Sequence, residues 1–466
     1  APHRHGDGRI RRVTIHQTTK KQMQSMITVH SDSEFLSEAV FDHFLARHSE
    51  LPQWLVQQKR NSWTDYLALP APSRTMETWR FANVKGLGIE GFRLAQPLAE
   101  EEAQSLIENS RDVTHTSGKL IFGNDDLLAE ETLADELSAK GVIFEPLERA
   151  FSKHSGILEE FFMAQEAALG SEKFAALHTA LNRNGTLLFV PENVEIKLPF
   201  VSYHWASGKE SAVFPHTLVI AKDNSKVTFV DVYGSDDKES AQLACGVSTL
   251  YAGPGSQVEY HYVQNWNEAS LSFNHLTTIA QRDSQIRAFG LNLGSKHARN
   301  EGHTIIDGPG SNAEIFSLTV AHKNQEMDQR TLQSHNAPNA RSNLLFKNAL
   351  QDSSKTIFSG LIKVAEEAQQ TDAYQTNRNL LLSPTAEANS LPGLEILAND
   401  VKCSHGATTG QIDDNELFYL LARGINKATA QQLLVFGFFE EIFEKMKNEE
   451  LASYHRKLVH LKFENS

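Results

Sequence analysis

The chain has 466 residues, 40% hydrophobic and 22% charged, a balance that supports a large folded core. Its 44 Lys and Arg against 58 Asp and Glu leave a formal net charge of −14, which disfavours a general nucleic-acid or anionic-membrane binder and points to protein partners. Two cysteines, Cys245 and Cys403, exclude a disulfide framework and fit a reducing, intracellular setting, and no apolar run approaches the ~20 residues that span a bilayer.

Residues 1–25 carry Arg4, Arg9, Arg11, Arg12, Lys20 and Lys21 with Asp7 as the sole acid. That composition resembles a transit peptide, but the amphipathic periodicity is weak, so a disordered or non-native arm is expected. From Ser31 a helix is expected: Ser31 and Glu34 have capping-box spacing, and Phe35, Leu36, Ala39, Val40 and Phe44 form a stripe. Trp54, Trp63, Tyr66 and Trp79 read as core aromatics, Pro70 and Pro72 as breaks, and further helical patterns surround Leu106 and Leu177.

At Gly185 the texture changes to short β-type runs such as Leu187 to Val190. Five segments then align: SKVTFVDVY at Ser225, SQVEYHYVQ at Ser256, SQIRAFGLN at Ser284, SNAEIFSLT at Ser311 and ARSNLLFKN at Ala340, with starts 27 to 31 residues apart. One such unit cannot bury its apolar face alone; stacked units bury it. A half-repeat at Ser354 suggests two main strands per coil. The period favours a parallel β-helix over a left-handed hexapeptide helix, with roughly 18 residues per coil, and over a propeller, with about 40 per blade.

Helical patterning returns at Glu416, with Leu417, Leu420 and Leu421, then a break at Gly424, then Leu433, Leu434, Phe438, Ile442 and Phe443. These helices are expected to cap the last coil's edge or to dock a partner, with Leu420, Ile425 and Phe438 as candidate contacts and Glu440, Glu441 and Glu444 as an acidic rim. The division expected is therefore an arm at 1–25, a mainly helical region at 26–182, a parallel β-helix at 183–413 and a helical domain at 414–466.

Chemistry concentrates between Leu394 and Asp413, where Cys403 and His405 are separated by one residue. On a strand both side chains leave one face and reach one metal centre. Thiolate and imidazole suit iron–sulfur or zinc chemistry, but two ligands do not complete a tetrahedral site; the rest would come from Asp, Glu, water, sulfide or a second polypeptide. The plainer reading of an isolated C-x-H pair is a buried thiol beside a backbone-bonded histidine. His297, His303, His322 and His335 are irregularly spaced and read as structural, and the Gly-Pro-Gly elements at Gly253 and Gly308 lack the phosphate-loop pattern.

The segment EILANDVKCSHGATTGQIDDNELFYLLARGI resembles the signature of the SufB/SufD family nearly position for position, supported by VQNW at Val263, LNRNGTLLFVPENVEIKLP and, weakly, METWRFANV. The resemblance implies a right-handed parallel β-helix between helical regions. It implies a non-catalytic scaffold in a complex of one SufB, one SufD and two SufC, with ATP hydrolysis in SufC and the C-terminal helices contacting it. A transient iron–sulfur cluster forms between SufB and SufD, and His405 corresponds to the family histidine implicated there. SufB-type chains carry a cysteine-bearing EGCTAP-like element, whereas this chain reads VDVYGSDDKES, which favours the SufD type. Cys245 is a secondary candidate for sulfur handling. A reduced flavin in the complex and a homodimer of the isolated chain are compatible with the resemblance, and a cytoplasmic location is expected, or a plastid one if the basic arm is a transit remnant. The competing class is a β-helix polysaccharide lyase or hydrolase using Asp307, Glu314 and Asp328, against which stand the missing paired-carboxylate motif and secretory signal.

Overall fold

The computed structural model describes the backbone of residues 13–15 and residues 35–464. Most of the basic arm, and the Ser31–Glu34 capping box, lie outside the described residues; Val13–Ile15 pairs antiparallel with Glu131, Glu130 and Ala129. The first described helix is Glu38–Arg47, capped by Ser37, whose Oγ accepts the Val40 N–H at 3.3 Å. Its buried face is Phe41, Phe44 and Leu45; of the expected stripe Phe44 and, just before the helix, Phe35 are buried, while Ala39 is exposed.

The protein is mostly β: two walls of parallel strands wind into a β-helix, with helices towards both termini. The first wall runs from Phe200–Ala206 through Lys226–Ser235, Gln257–Asn265, Gln285–Asn292, Asn312–Ala321, Arg341–Leu350 and Thr371–Leu381 to Val401–Gln411. The second runs from Thr186–Val190 through His216–Ala221, Leu243–Ala252, Leu271–Ala280, His297–Ile306, Glu326–His335 and Lys355–Val364 to Glu387–Ile396. Strands pair in register one coil apart: Gln285 lies opposite Asn312, 27 residues on, and Arg341 opposite Asp372, 31 residues on.

The repeated serines make the corners. Ser225, Ser256, Ser284 and Ser311 each donate their hydroxyl to the carbonyl three residues back, at 2.6–2.7 Å. Each follows a residue with positive φ: Asn224, Gly255, Asp283 and Gly310. Only residues that tolerate the left-handed region serve there, which is why the repeat reads Asn, Gly or Asp before Ser. In the fifth repeat Asn339 keeps the positive φ while a buried Ala340 replaces the serine.

Inside the early coils, Phe200, Phe229, Val219, Leu250 and Ile286 form an apolar fill, each large side chain contributing roughly 1.5–3 kcal/mol on burial. Later coils fill with amides: Asn348 Nδ2 donates to Asn377 at 3.0 Å, Asn377 to Ser390 at 2.8 Å, and Asn379 to Thr409 at 3.2 Å.

The region before the solenoid holds strands that helical patterning did not reveal. The hairpin Gly118–Gly123/Asp126–Glu131 lies parallel to Phe200–Ala206 through its first strand, and Ile143–Pro146 pairs antiparallel with Thr186–Val190. These strands cover the first coil. Helix Glu172–Leu181 and Trp79 pack on the outside of the second wall, where the Arg299 guanidinium sits 3.9 Å over the Trp79 ring.

The C-terminal helices do not cap the last coil. Helices Lys427–Phe443 and Glu449–Glu464 fold back along the outside of the first wall, where Val435, Phe439, Ile442, Phe443, Leu451 and Val459 join Phe289, Phe316, Leu318 and Leu345 in one core. The reason is area: that outer face is apolar, whereas the last coil's edge offers mainly backbone groups.

Candidate functional site

Cys403 and His405 lie on Val401–Gln411, the last strand of the first wall, in register with Ala373 and Gln375. Cys403 packs against Ile362, Val364, Ala373 and Ala398, which places it on the face turned into the solenoid. His405 and Thr409 follow on that face at steps of two, and Thr409 accepts from the interior Asn379 at 3.2 Å. Cys403 is half-buried and His405 exposed, because no coil covers them. Facing them across the mouth is Glu387–Ile396, which carries Ser390, Leu394 and Ile396; Leu397, just beyond it, is 58% exposed. The mouth is thus apolar beside Cys403 and polar towards Thr409.

Burial pushes the Cys403 thiol above its ordinary range; a hydrogen bond with the Ala373 backbone opposes this and the Asp372 carboxylate adds to it. Among the described residues no three or more His, Cys, Asp and Glu side chains converge as a metal site. Two donors at an open end fit a site completed from outside this chain.

Among the described residues both terminal strands are paired on one side only, leaving two rows of backbone donors and acceptors at the edge. The mouth and this edge are one surface.

The remaining candidates are dispersed. Cys245 is 1% exposed beneath the N-terminal helices, and burial pushes its thiol up. His303 bonds Ser334 at 2.9 Å and His335 bonds Ser342 at 2.8 Å; His322 meets Glu268 and Lys462, and His297 packs on Gly86. Glu314 accepts from Arg287 at 3.1 Å, Asp328 is buried between Arg299 and Arg330, and Asp307 accepts from Asn336 at 2.7 Å, so the carboxylates form no catalytic pair.

On the C-terminal helices, Leu420 and Ile425 are half-buried in the hairpin between Asp414–Leu421 and Lys427–Phe443. Phe438 is turned towards the solenoid: Lys347 Nζ lies 5.0 Å from its ring and donates to its carbonyl at 2.7 Å. Two of the rim acids are occupied, Glu440 by Arg456 at 2.7 Å and Glu441 by Lys347 and Arg378 at 2.6 and 2.9 Å. The most exposed apolar side chains on these helices are Phe418, Tyr419 and Leu433, 70%, 56% and 49% exposed. Helical spacing marked that segment as amphipathic but did not reveal which of its apolar faces the solenoid takes.

Comparison with known proteins gives two family matches, the SufBD protein N-terminal region over residues 41–200 and the SUF system FeS cluster assembly, SufBD core domain, over residues 204–438. The chain is 28% identical over 424 residues to the iron–sulfur cluster assembly protein SufD of Bacillus subtilis, covering 90% of this chain and 94% of that one. It is 28% identical over 386 residues to the protein of the same name from Escherichia coli, covering 82% and 86%. A SufBD family protein of Synechocystis is 29% identical over 417 residues, 87% of this chain and 90% of that one.

Proposed function

The chain belongs to the SufB/SufD family of iron–sulfur cluster assembly proteins, and from that premise we propose that it is a SufD-like scaffold subunit that shares a nascent cluster with SufB and docks SufC. The observation that carries this reading is the open end of the solenoid: Cys403 and His405 face inward at a mouth whose surrounding strands lack partners. A second β-helix seated there would satisfy the edge by strand pairing and supply the missing ligands. The cluster is cargo, held by few protein ligands so that it can leave.

Phe418, Tyr419 and Leu433 present the surface for SufC, and the proposed assembly has one SufB, one such chain and two SufC, in the cytoplasm. Movement of the docked helices has a route to the mouth. Glu441 bridges Lys347 and Arg378, and Arg378 belongs to Thr371–Leu381, the strand directly beneath Val401–Gln411.

The test is anaerobic co-purification with SufB and SufC followed by iron and sulfide analysis. His405→Ala is expected to cut cluster content at least ~10-fold while the complex stays assembled. Unchanged cluster content in His405→Ala and Cys403→Ser, or failure of the wild-type chain to retain SufB, would sink the proposal.

A further inference from the structure

In the middle coils each wall carries a glycine in an inward column. On the second wall Leu276, Gly302 and Thr331 lie in register, one coil apart; on the first, Tyr262, Gly290, Ser317 and Phe346 do the same. The two glycines are used differently. A Cβ at Gly290 would stand 2.4 Å from the Tyr262 ring, so the tyrosine takes up that gap. A Cβ at Gly302 would meet a single atom within 4 Å, the Thr331 methyl carbon at 3.9 Å. The φ of Gly302 lies outside the left-handed region, so the backbone does not require glycine there; what the position contributes is the missing side chain.

Beside Gly302 is a cavity of about 40 Å³, lined by Leu276, Ile315, Leu344 and Phe346 among others, and the surface it presents is mainly carbon. The polar neighbours are turned to one another: Asn300 Nδ2 donates to Asn292 Oδ1 at 3.2 Å, Asn292 Nδ2 to Ser317 Oγ at 3.0 Å, and Thr278 Oγ1 to Thr304 Oγ1 at 3.1 Å. Thr331 Oγ1 and the side-chain oxygens of Asn300, Gln329 and Gln333 lack partners, but these atoms have almost no accessible surface, so none offers itself to a molecule in the cavity. Of the lining amides only Asn274 is not fully buried. A buried water takes roughly two to four polar partners, whereas a cavity walled by carbon stays dry and accepts apolar guests.

We propose that this cavity is a binding site for one small apolar molecule, of the size of a xenon atom or a diatomic gas such as dioxygen. A single water occupies about 10–15 Å³ of such space, so the volume admits a guest somewhat larger than water and excludes anything drug-sized. The guest gains dispersion contacts with carbon walls that otherwise have no partner on one side, and it displaces no hydrogen-bonded water. Gly302 keeps the site open, and transient opening of the coils admits the guest. The site lies inside the coils, apart from Cys403 and His405, and stands whether or not those two hold a cluster.

The experiment uses the full chain with 13C-labelled leucine and isoleucine methyl groups under xenon pressure. The methyl signals of Leu276, Ile315 and Leu344, assigned by substitution, are expected to shift and to saturate as the pressure rises. Gly302→Val, whose branched side chain suits a strand and occupies the space, is expected to abolish those shifts and to raise the melting temperature. Gly302→Ala adds only a Cβ at ordinary contact distance, so it keeps the fold and is expected to weaken the xenon response. Methyl signals that do not respond in the wild type overturn the proposal, as do saturating shifts that persist in folded Gly302→Val. Should Gly302→Val not fold, Gly302→Ala decides: a xenon response equal to the wild type's overturns the placement of the site. Through-space cross-peaks from the three methyl groups to a bound water also overturn it, because the cavity would then be a hydration site.

Discussion

At its first coil the solenoid is closed by structure of a different kind: a hairpin, an antiparallel strand and packed helices satisfy the strands Phe200–Ala206 and Thr186–Val190. At its last coil the strands Glu387–Ile396 and Val401–Gln411 end in open edges, with Leu394, Ile396 and Leu397 uncovered. An edge strand is a template for pairing, and proteins normally cover both ends of such an array. The hairpin turn shows what covering takes, since Asn124 and Asp125 both hold positive φ, Asn124 accepts the Ser207 N–H at 2.8 Å and Asp125 the Phe214 N–H at 2.8 Å. Among the described residues nothing equivalent covers the coil that ends at Gln411; helices Lys427–Phe443 and Glu449–Glu464 lie along the flank instead. The closed end is built for stability, and the open one is where the proposed partner would seat.

That contrast sets the order of expected effects. The largest lies at the closed end: Phe122, 1% exposed and stacked 5.0 Å from His204, belongs to the covering hairpin, and Phe122→Ala should cost about 3–5 kcal/mol in urea unfolding. A loss below ~1 kcal/mol would mean the hairpin is not part of the solenoid's cooperative core. At the open end Leu397→Asp should change stability by no more than about 0.5 kcal/mol yet weaken binding to SufB by about 2 kcal/mol, or ~30-fold in Kd by calorimetry. Equal effects on folding and binding would erase the distinction between the ends.

Per pH unit, a smaller effect of about 1 kcal/mol is expected from titration. Lys59, fully buried under the N-terminal helices, donates to the carbonyls of Thr179 and Asn182 at the end of helix Glu172–Leu181, and burial pulls its ammonium down to about 7. The unfolded lysine titrates near ~10.4, so the unfolded chain binds the extra proton and stability should rise with pH between about 7 and about 10, on the order of 1 kcal/mol per unit. Lys59→Met should flatten that slope in denaturant melts across the window; a slope retained in the variant assigns it elsewhere. The smallest effect belongs to Cys245→Ala, expected to cost about 1 kcal/mol and to leave cluster yield unchanged. A drop in yield would restore a sulfur-handling role to that thiol.

Much of this was legible without coordinates, for reasons that particular residues make plain. The serine corners are local: a left-handed residue followed by a hydroxyl reaching three residues back is a short-range device, so its recurrence announces the coil and its period. The one-residue gap between Cys403 and His405 likewise needs only the two-residue period of a strand to put them on one face. The hairpin at Gly118–Glu131 was not legible, because its hydrophobic pattern is short and its strands are recruited by a wall formed some eighty residues later.

Sequence by itself determined the winding: local turn chemistry and an alternating apolar pattern, repeated at a near-constant period, leave stacked coils as the arrangement that buries each unit's face. Only the tertiary structure decided where the solenoid stops being covered. The C-terminal helices carry apolar residues that either an edge or a flank might accept, and the choice went to the flank because Phe289, Phe316, Leu318 and Leu345, up to about 150 residues earlier in the chain, line up there as one apolar surface against Phe439, Ile442 and Phe443. Which surfaces meet over such separations depends on the area each buries when they do, and that quantity exists only once the coils have stacked.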